Sequence, residues 1–452
     1  MQSDLPVAVI GAGPVGLAAA AHLVAKGEAP VVFEVGDSAG ASILEWGHVQ
    51  LFSPWRYSVD AAARALLERD GWRAPDPETF PTGRELVERY LVPLSQLPEI
   101  APHLRLGTTV VSLTRQGYDK MKSAAREDAP FVLHVRSASD GEEHVFARAV
   151  IDASGTWTRP NPLGASGVPA LGETALAERI YYGIPDVLGA QRGRYAGRRV
   201  LVVGSGHSAF NALLDLAELA EQAPGTEIVW AFRRSTLANL FGGGQNDALP
   251  ARGLLGTKLR QTVDAGLLQV VPGFKVAKLE RSGDRVVVAS DDATLPPVDE
   301  IVAATGFRPD LAPLRELRLE LDPAVESPVA LAPLIDPNVH SCGTVRPHGA
   351  EQLAHPERDF YVAGMKSYGR APTFLMLTGY EQVRSIVCAL TGDVEGARDV
   401  RLELPKTGVC SLDARESDAA SDGEPAAAAP CCGATRPASL SAAAPRQTVL
   451  AT

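Results

Sequence analysis

Cysteine is nearly missing from this chain. Only five of its 452 residues are cysteine, and none precedes Cys342. That scarcity excludes a disulfide framework. It also excludes a close C-x-x-C or C-x₄-C redox pair in the first three-quarters of the sequence. Long apolar runs are missing too, since no stretch approaches the roughly 20 residues that cross a bilayer. Net positive charge is missing: the formal charge is −11, which argues against a nucleic-acid surface and against docking on an anionic membrane. The opening stretch "MQSDLPVAVIGAGPVGLAAAAHLVAKG" is as apolar as a signal peptide, yet its first residues carry Asp4 and no Lys or Arg. It reads as mature structure, with the cytoplasm as the default location. The length exceeds what one core fills, so two or three domains are expected.

What is present is glycine in two repeated patterns. Val7 to Ile10 is a short apolar run suited to a buried parallel strand. Gly11, Gly13 and Gly16 follow at G-x-G-x-x-G spacing, then an alanine-rich helix former from Leu17 to Lys26, then a second strand, Val31 to Phe33, ending in Glu34. In this pattern Gly11 permits the tight turn, Gly13 lets a pyrophosphate approach the backbone, and Gly16 lets helix and strand pack closely. The positive end of the helix faces the phosphates. Glu34 stands where a carboxylate accepts hydrogen bonds from ribose hydroxyls. The bland alternative, a tight turn that binds nothing, leaves the acid unexplained.

"GRRVLVVGSGHSAFNALLDLAEL" repeats the unit. Arg199 to Val203 is the strand, Gly204, Gly206 and Ala209 make G-x-G-x-x-A, and a helix begins at about Ser208. The next strand, "EIVWAF", ends in Arg233 and Arg234 instead of an acid. Arginine grips a 2′-phosphate bidentately, so this site reads as an NADPH site, unless the two arginines are only a solvated strand end. Two dinucleotide folds imply two dinucleotides, and the one with the glutamate is most simply FAD. "AVIDASGTWTRPN" (149–161) and "EIVAATGFRPD" (300–310) are a further pair. Each is a strand ending in a Ser-Gly or Thr-Gly turn (Gly155, Gly306) with a proline beyond, and each reads as a chain crossing between the two domains, close to a cofactor.

With these motifs the sequence resembles the two-dinucleotide-binding flavoproteins, the superfamily of thioredoxin reductases and flavin-containing monooxygenases. The resemblance runs over residues 1 to about 395 and rests on "GAGPVG", "FEVGDSAGASILEW", "ASGTWTRPN", "VLVVGSGHSA", "FRRS" and "ATGFRPD". It implies an α/β fold of two Rossmann-like domains. The FAD domain is split over residues 1–157 and 306–398, with the NADPH domain (158–305) inserted; composition, not the resemblance, marks 399–452 as a low-complexity tail. It implies that a late strand and helix (359–386) close the flavin site, with Gly364 near the flavin. Relatives often place an aspartate next, and here Met365 stands there instead. It implies that Trp46, His48, Phe52, Ser53, Trp55 and Arg56 lie near the isoalloxazine edge, where plain core packing is the alternative for each aromatic. The loop 239–256, with Gly242 to Gly244, Gln245, Asn246, Asp247 and Arg252, is either a lid or a surface connection.

With no early cysteine pair, hydride passes from NADPH to FAD and then to oxygen, a quinone or another acceptor. No general acid, base or nucleophile stands out, as a flavin monooxygenase would allow, since its cofactor carries the hard chemistry. The region before the second fingerprint lacks the F-x-G-x-x-x-H pattern of true flavin-containing and Baeyer–Villiger monooxygenases, so the enzyme reads as monooxygenase-like. The alternatives are an NADPH-dependent reductase of a metalloid, quinone or protein partner, and a flavin-bound metal-binding or sensing protein. A homodimer is ordinary for the class.

From about Leu404 the chain turns low-complexity and is expected to stay unfolded. It carries Cys410 and the adjacent pair Cys431 and Cys432. Adjacent thiols are poor staples but good soft-metal ligands. The pair resembles the tail of mercuric reductase, and the body is similar to flavoproteins of arsenic-resistance operons. Either these thiols capture a trivalent metalloid or they are drift.

Overall fold

The computed structural model describes residues 4–237, 240–241, 250–339, 348–372 and 374–400. All of them fall in one compact unit, Met1–Leu412. The chain opens with β1 (Val7–Ile10), α1 (Pro14–Ala25) and β2 (Pro30–Phe33). Helix α2 (Ala61–Arg69) follows, capped by Asp60, whose carboxylate accepts from Ala63 N. Then come β3 (Leu104–Arg105), a meander of β4 (Thr108–Arg115), β5 (Phe131–Ser137) and β6 (Gly141–Ala147), and β7 (Ala149–Asp152). The middle of the chain holds β8 (Ile180–Tyr182), β9 (Arg199–Val203), α3 (His207–Gln222), β10 (Glu227–Phe232), α4 (Pro250–Asp264), β11 (Gln269–Pro272), the hairpin β12 (Lys278–Ser282) and β13 (Arg285–Ala289), and β14 (Glu300–Ala303). The end supplies β15 (Phe360–Val362) and α5 (Met376–Leu390).

These strands form two five-stranded parallel sheets, ordered β15-β7-β1-β2-β3 and β11-β10-β9-β14-β8. The two are the same design. β9, β10, β11 and β14 repeat β1, β2, β3 and β7, and the hairpin β12–β13 takes the place of the meander. Only the outer strand differs in origin: β8 precedes its sheet in the sequence, whereas β15 comes long after its own. The central strands β1, β7, β9 and β14 are buried along almost their whole length, as strands covered on both faces must be.

Alanine explains the tight layer over the first sheet. Ala18 to Ala21 of α1 are fully buried, which lets that helix lie close to β1 on one side and to α5 on the other. The opposite face of the sheet is covered by the meander through Leu113, Phe131, Leu133 and Val135. In the second sheet, α3 covers one face with Phe210, Leu213 and Leu216, and the hairpin covers the other with Leu279, Val286 and Val288. Among the described residues no helix is long and apolar enough to cross a membrane.

Candidate functional site

Ligands of open parallel sheets bind outside the carboxyl ends of the strands, at the turn after the first strand. There the sequence forces close backbone contact. Gly11 has φ +97°, and a Cβ on it would lie 2.8 Å from the Ala153 carbonyl oxygen. A Cβ on Gly16 would lie 1.9 Å from the Gly11 carbonyl oxygen. Gly13, between them, faces open space, with no protein atom within 4 Å of where its Cβ would be. The second unit repeats this: a Cβ on Gly204 would lie 2.2 Å from the Ala304 carbonyl oxygen, while Gly206 faces open space. Ala209 is fully buried, and Ser208 lies in the first turn of α3. Two glycines packed tight with one left open is the cradle that a pyrophosphate at a helix N-terminus requires.

Glu34 ends β2 and is buried. Its carboxylate accepts from Ala12 N at 2.8 Å and Gly36 N at 2.9 Å. A carboxylate has about four lone-pair sites, so acceptor capacity for a diol remains. The sequence pattern shows the acid but not that it also ties down the glycine turn. In the second unit Arg233 is exposed, with Nη1 donating to Ala165 O at 3.3 Å, and Arg234 is half-buried. Both stand at the end of β10, so the second crevice presents cations where the first presents an acid.

The segments that leave β7 and β14 pair with each other. Asn161 N donates to Gly306 O at 2.9 Å, Thr305 Oγ1 to Asn161 O at 2.6 Å, and Arg308 N to Arg159 O at 2.9 Å. Arg159 pairs with Asp310 at 3.1 Å. Burial alone would raise the Asp310 carboxyl, but Arg159, the Ala312 amide and Lys366 hold it below the ordinary aspartate value. Trp157 and Phe307 stack between the crossings. The Trp157 indole donates to Glu45 Oε2 at 2.8 Å and sits over Gly183, where a Cβ would come within 3.0 Å of the ring.

The segment after Glu45 divides. Trp46 lies 6.3 Å from Trp157, Phe52 packs edge-on against His207 of α3 at 5.1 Å, and His48 hydrogen-bonds the Pro185 backbone. These three line the seam between the halves. Burial lowers the His48 imidazole below its ordinary value, against the opposing pull of Asp186, and its Nε2 is buried with no hydrogen-bond partner. Ser53 is buried. Trp55 belongs to the core, with Arg89 over its ring, and Arg56 is exposed and paired with Glu78. Trp55 lies within that core, while Trp46 is partly buried, packing against the same core with its ring also near Trp157.

Gly364 has φ +70° and donates its N–H to Gln382 Oε1 at 2.8 Å. Met365 is half-buried, and the next residue, Lys366, is a buried cation paired with Asp152 at 2.7 Å. Sequence reasoning passed over Lys366, Asp152, Trp157 and Phe307. The signal was a charged residue inside each of two apolar strand ends, "AVID" and "VAGMK". Arg252 is buried, while Gly242 to Gly244, Gln245, Asn246 and Asp247 lie outside the described residues. So do Cys410, Cys431 and Cys432. Among the described residues, no cluster of His, Cys, Asp and Glu could hold a metal ion.

Comparison with known proteins agrees with this geometry. A family model described as pyridine nucleotide-disulphide oxidoreductase matches residues 8–330. The chain is 27% identical over 322 residues to a ferredoxin–NADP reductase of Salinispora tropica, covering 71% of this chain and 79% of that one. It is 32% identical over 213 residues to an indole-3-pyruvate monooxygenase of Oryza sativa subsp. japonica, covering 46% of this chain and 44% of that one. In fold it is similar to the bacillithiol disulfide reductase Bdr of Bacillus cereus, with TM-score 0.60 and 18% identity over 86% of this chain and 99% of that one.

Proposed function

The chain belongs to the pyridine nucleotide-disulphide oxidoreductase family, and from that premise we propose that it is an NADPH-dependent FAD oxidoreductase that serves a non-thiol acceptor, in the manner of a flavin monooxygenase. One observation carries the reading: two complete dinucleotide cradles stand in a chain with no cysteine before Cys342. A reductase that relays electrons through its own dithiol needs two thiols within bonding reach of each other. Among the described residues the one cysteine is Cys388, beside Lys26 at the far end of α1 from the glycine turn. That helix has 12 residues, so about 18 Å separates its two ends.

Bound FAD supplies hydride acceptance from NADPH and onward electron transfer. The chain's own residues bind, orient and shield. Residues 1–157 and 306–398 form the FAD domain in this reading, and 158–305 the NADPH domain. The turn at Gly11, Gly13 and Gly16, with the N-terminus of α1, takes the FAD pyrophosphate, and Glu34 takes the adenosine ribose. Gly204, Gly206 and the first turn of α3 take the second pyrophosphate. Arg233 and Arg234 take the 2′-phosphate. Trp46, Phe52, Trp157, Phe307 and His207 exclude water from the seam, which protects reactive species from hydrolysis. His48, held neutral by burial, can exchange a hydrogen bond there without carrying charge.

The likeness to a ferredoxin–NADP reductase over 71% of this chain favours a second reading, electron delivery to a protein acceptor. A small soft substrate, an arsenical or a sulfur compound, rests on the tail thiols and on the resemblance of the body to flavoproteins of arsenic-resistance operons. The deciding experiment mixes the FAD-loaded protein with NADPH without oxygen, then admits ¹⁸O₂ with a thioether or trivalent arsenical. Bleaching of the flavin followed by ¹⁸O in the product supports the monooxygenase reading. Bleaching with turnover on a quinone or ferredoxin and no ¹⁸O transfer replaces it with the reductase. No bleaching overturns both and leaves a non-enzymatic flavoprotein.

A further inference from the structure

Lys366 is 3% exposed, in the short 3₁₀ turn (Gly364–Tyr368) that follows β15. Its Nζ donates to Asp152 Oδ2 at 2.7 Å and to Ser154 Oγ at 3.0 Å. The Ser154 hydroxyl donates in turn to Asp152 Oδ1 at 2.6 Å, and Asp152 is 1% exposed. An ammonium has three N–H donors, and burying one unmatched is costly. Two have protein acceptors here.

Ser154 also touches the phosphate turn. A Cβ on Gly11 would lie 3.0 Å from Ser154 Cα. The ammonium is thus one side chain removed from the glycine turn. The 3₁₀ turn that carries it is fixed from two sides. The Ser367 hydroxyl donates to Gly364 O at 2.7 Å, and the Gln382 amide donates to Ser367 Oγ at 3.0 Å. A Cβ on Gly364 would lie 3.3 Å from Val15, in the first turn of α1. Lys366 therefore stands at the carboxyl edge of the first sheet, beside the positive end of α1, in the place where an anionic ligand collects.

We propose that Lys366 is a positioning residue for FAD, its third N–H donating to an oxygen of the pyrophosphate–ribityl segment. Asp152 fixes the ammonium's direction and offsets its burial. Met365, the residue before it, has no strong hydrogen-bonding group, so Lys366 supplies the polar contact from one position further along. The inference rests on FAD as the occupant of the first crevice. The competing account is a Lys366–Asp152 pair that only holds β15 to β7.

The test measures FAD affinity of the stripped apoprotein by flavin fluorescence for wild type, Lys366→Met and the double variant Asp152→Asn/Lys366→Met. The double variant removes both charges and leaves no orphaned ion. FAD contact predicts a Kd raised by about tenfold or more in both variants. Wild-type affinity in the double variant overturns the proposal, whatever the single variant does. If neither variant folds, a crystal structure of the wild-type FAD complex decides. Nζ within about 3.2 Å of an FAD oxygen supports the contact, and a longer separation overturns it. A wild-type chain that binds no FAD overturns this inference together with the reading it rests on, and is told apart by needing no variant.

Discussion

Trp157 and Phe307 stack across the two chain crossings, 4.5 Å between centroids and 27° between ring planes. Each ring lies just beyond the small-residue turn where its strand leaves a sheet. The stack adds to the backbone pairing of Asn161 with Gly306 and of Arg308 with Arg159 in holding these two strand exits together. Trp157→Ala removes the stack, the bond to Glu45 and the cover over Gly183. We expect flavin reduction by NADPH to slow by about tenfold through lost alignment, with flavin content unchanged. Stopped-flow bleaching and the flavin-to-protein absorbance ratio read the two quantities. An unaltered reduction rate would show that the crossings hold their geometry by backbone bonds alone.

The arginines at the end of β10 predict a cofactor preference. If their guanidinium groups grip the 2′-phosphate as proposed, then in Arg233→Ala/Arg234→Ala the KM for NADPH rises by about tenfold or more, while KM for NADH barely moves, because NADH lacks that phosphate. Equal effects on both nucleotides would return these residues to a solvated strand end.

Two glycines three residues apart have opposite sensitivities. Gly16→Ala puts a methyl group 1.9 Å from a carbonyl oxygen. It should cost several kcal/mol and lower the thermal midpoint of the apoprotein strongly. Gly13→Ala meets no protein atom. It should leave the apoprotein midpoint nearly unchanged and, on the proposed placement of the pyrophosphate at this turn, weaken FAD binding.

Asp215 on α3 gives a pH signature. Burial, then Glu218 and Asp186, push its carboxyl up to about 6. The folded state thus binds the proton more tightly than the unfolded chain, whose ordinary value is 3.8. Stability from this group is fully present below 3.8 and declines as pH rises through about 6. Asp215→Asn should therefore stabilise the protein at pH 7, on the order of 1 kcal/mol, and change little at pH 3.5. Denaturant midpoints at the two pH values check it. A gain of equal size at both would mean that ionisation is not the cause.

Much of the architecture was legible because it is encoded locally. Gly11, Gly13, Gly16 and Glu34 lie within one βαβ unit, where strand, turn, helix and acid have fixed spacing. The same holds for Gly204, Gly206 and Arg233. Even the helix starts, read at Leu17 and Ser208 and observed at Pro14 and His207, differ by only a few residues. What stayed hidden is nonlocal. Lys366 and Asp152 are far apart in sequence, and their pairing exists only because β15 returns to lie beside β7. Trp55 and Trp46 look alike in "EWGHVQLFSPW", yet Trp55 is buried in the core under Arg89, while Trp46 is only partly buried against that core and also lies near Trp157. Only the tertiary direction of each side chain separates them.

The displaced outer strand has a consequence for how the chain is made. The second sheet is complete once β14 has left the ribosome, for all its strands lie within residues 180–303. The first sheet starts earlier but lacks β15 until about 200 residues after β7. At about 5–20 residues per second that is a wait of roughly 10–40 s. The second sheet can thus close during translation while the first waits with β7 as an open edge. A nascent chain arrested before residue 360 would present a finished second sheet beside an unfinished first one.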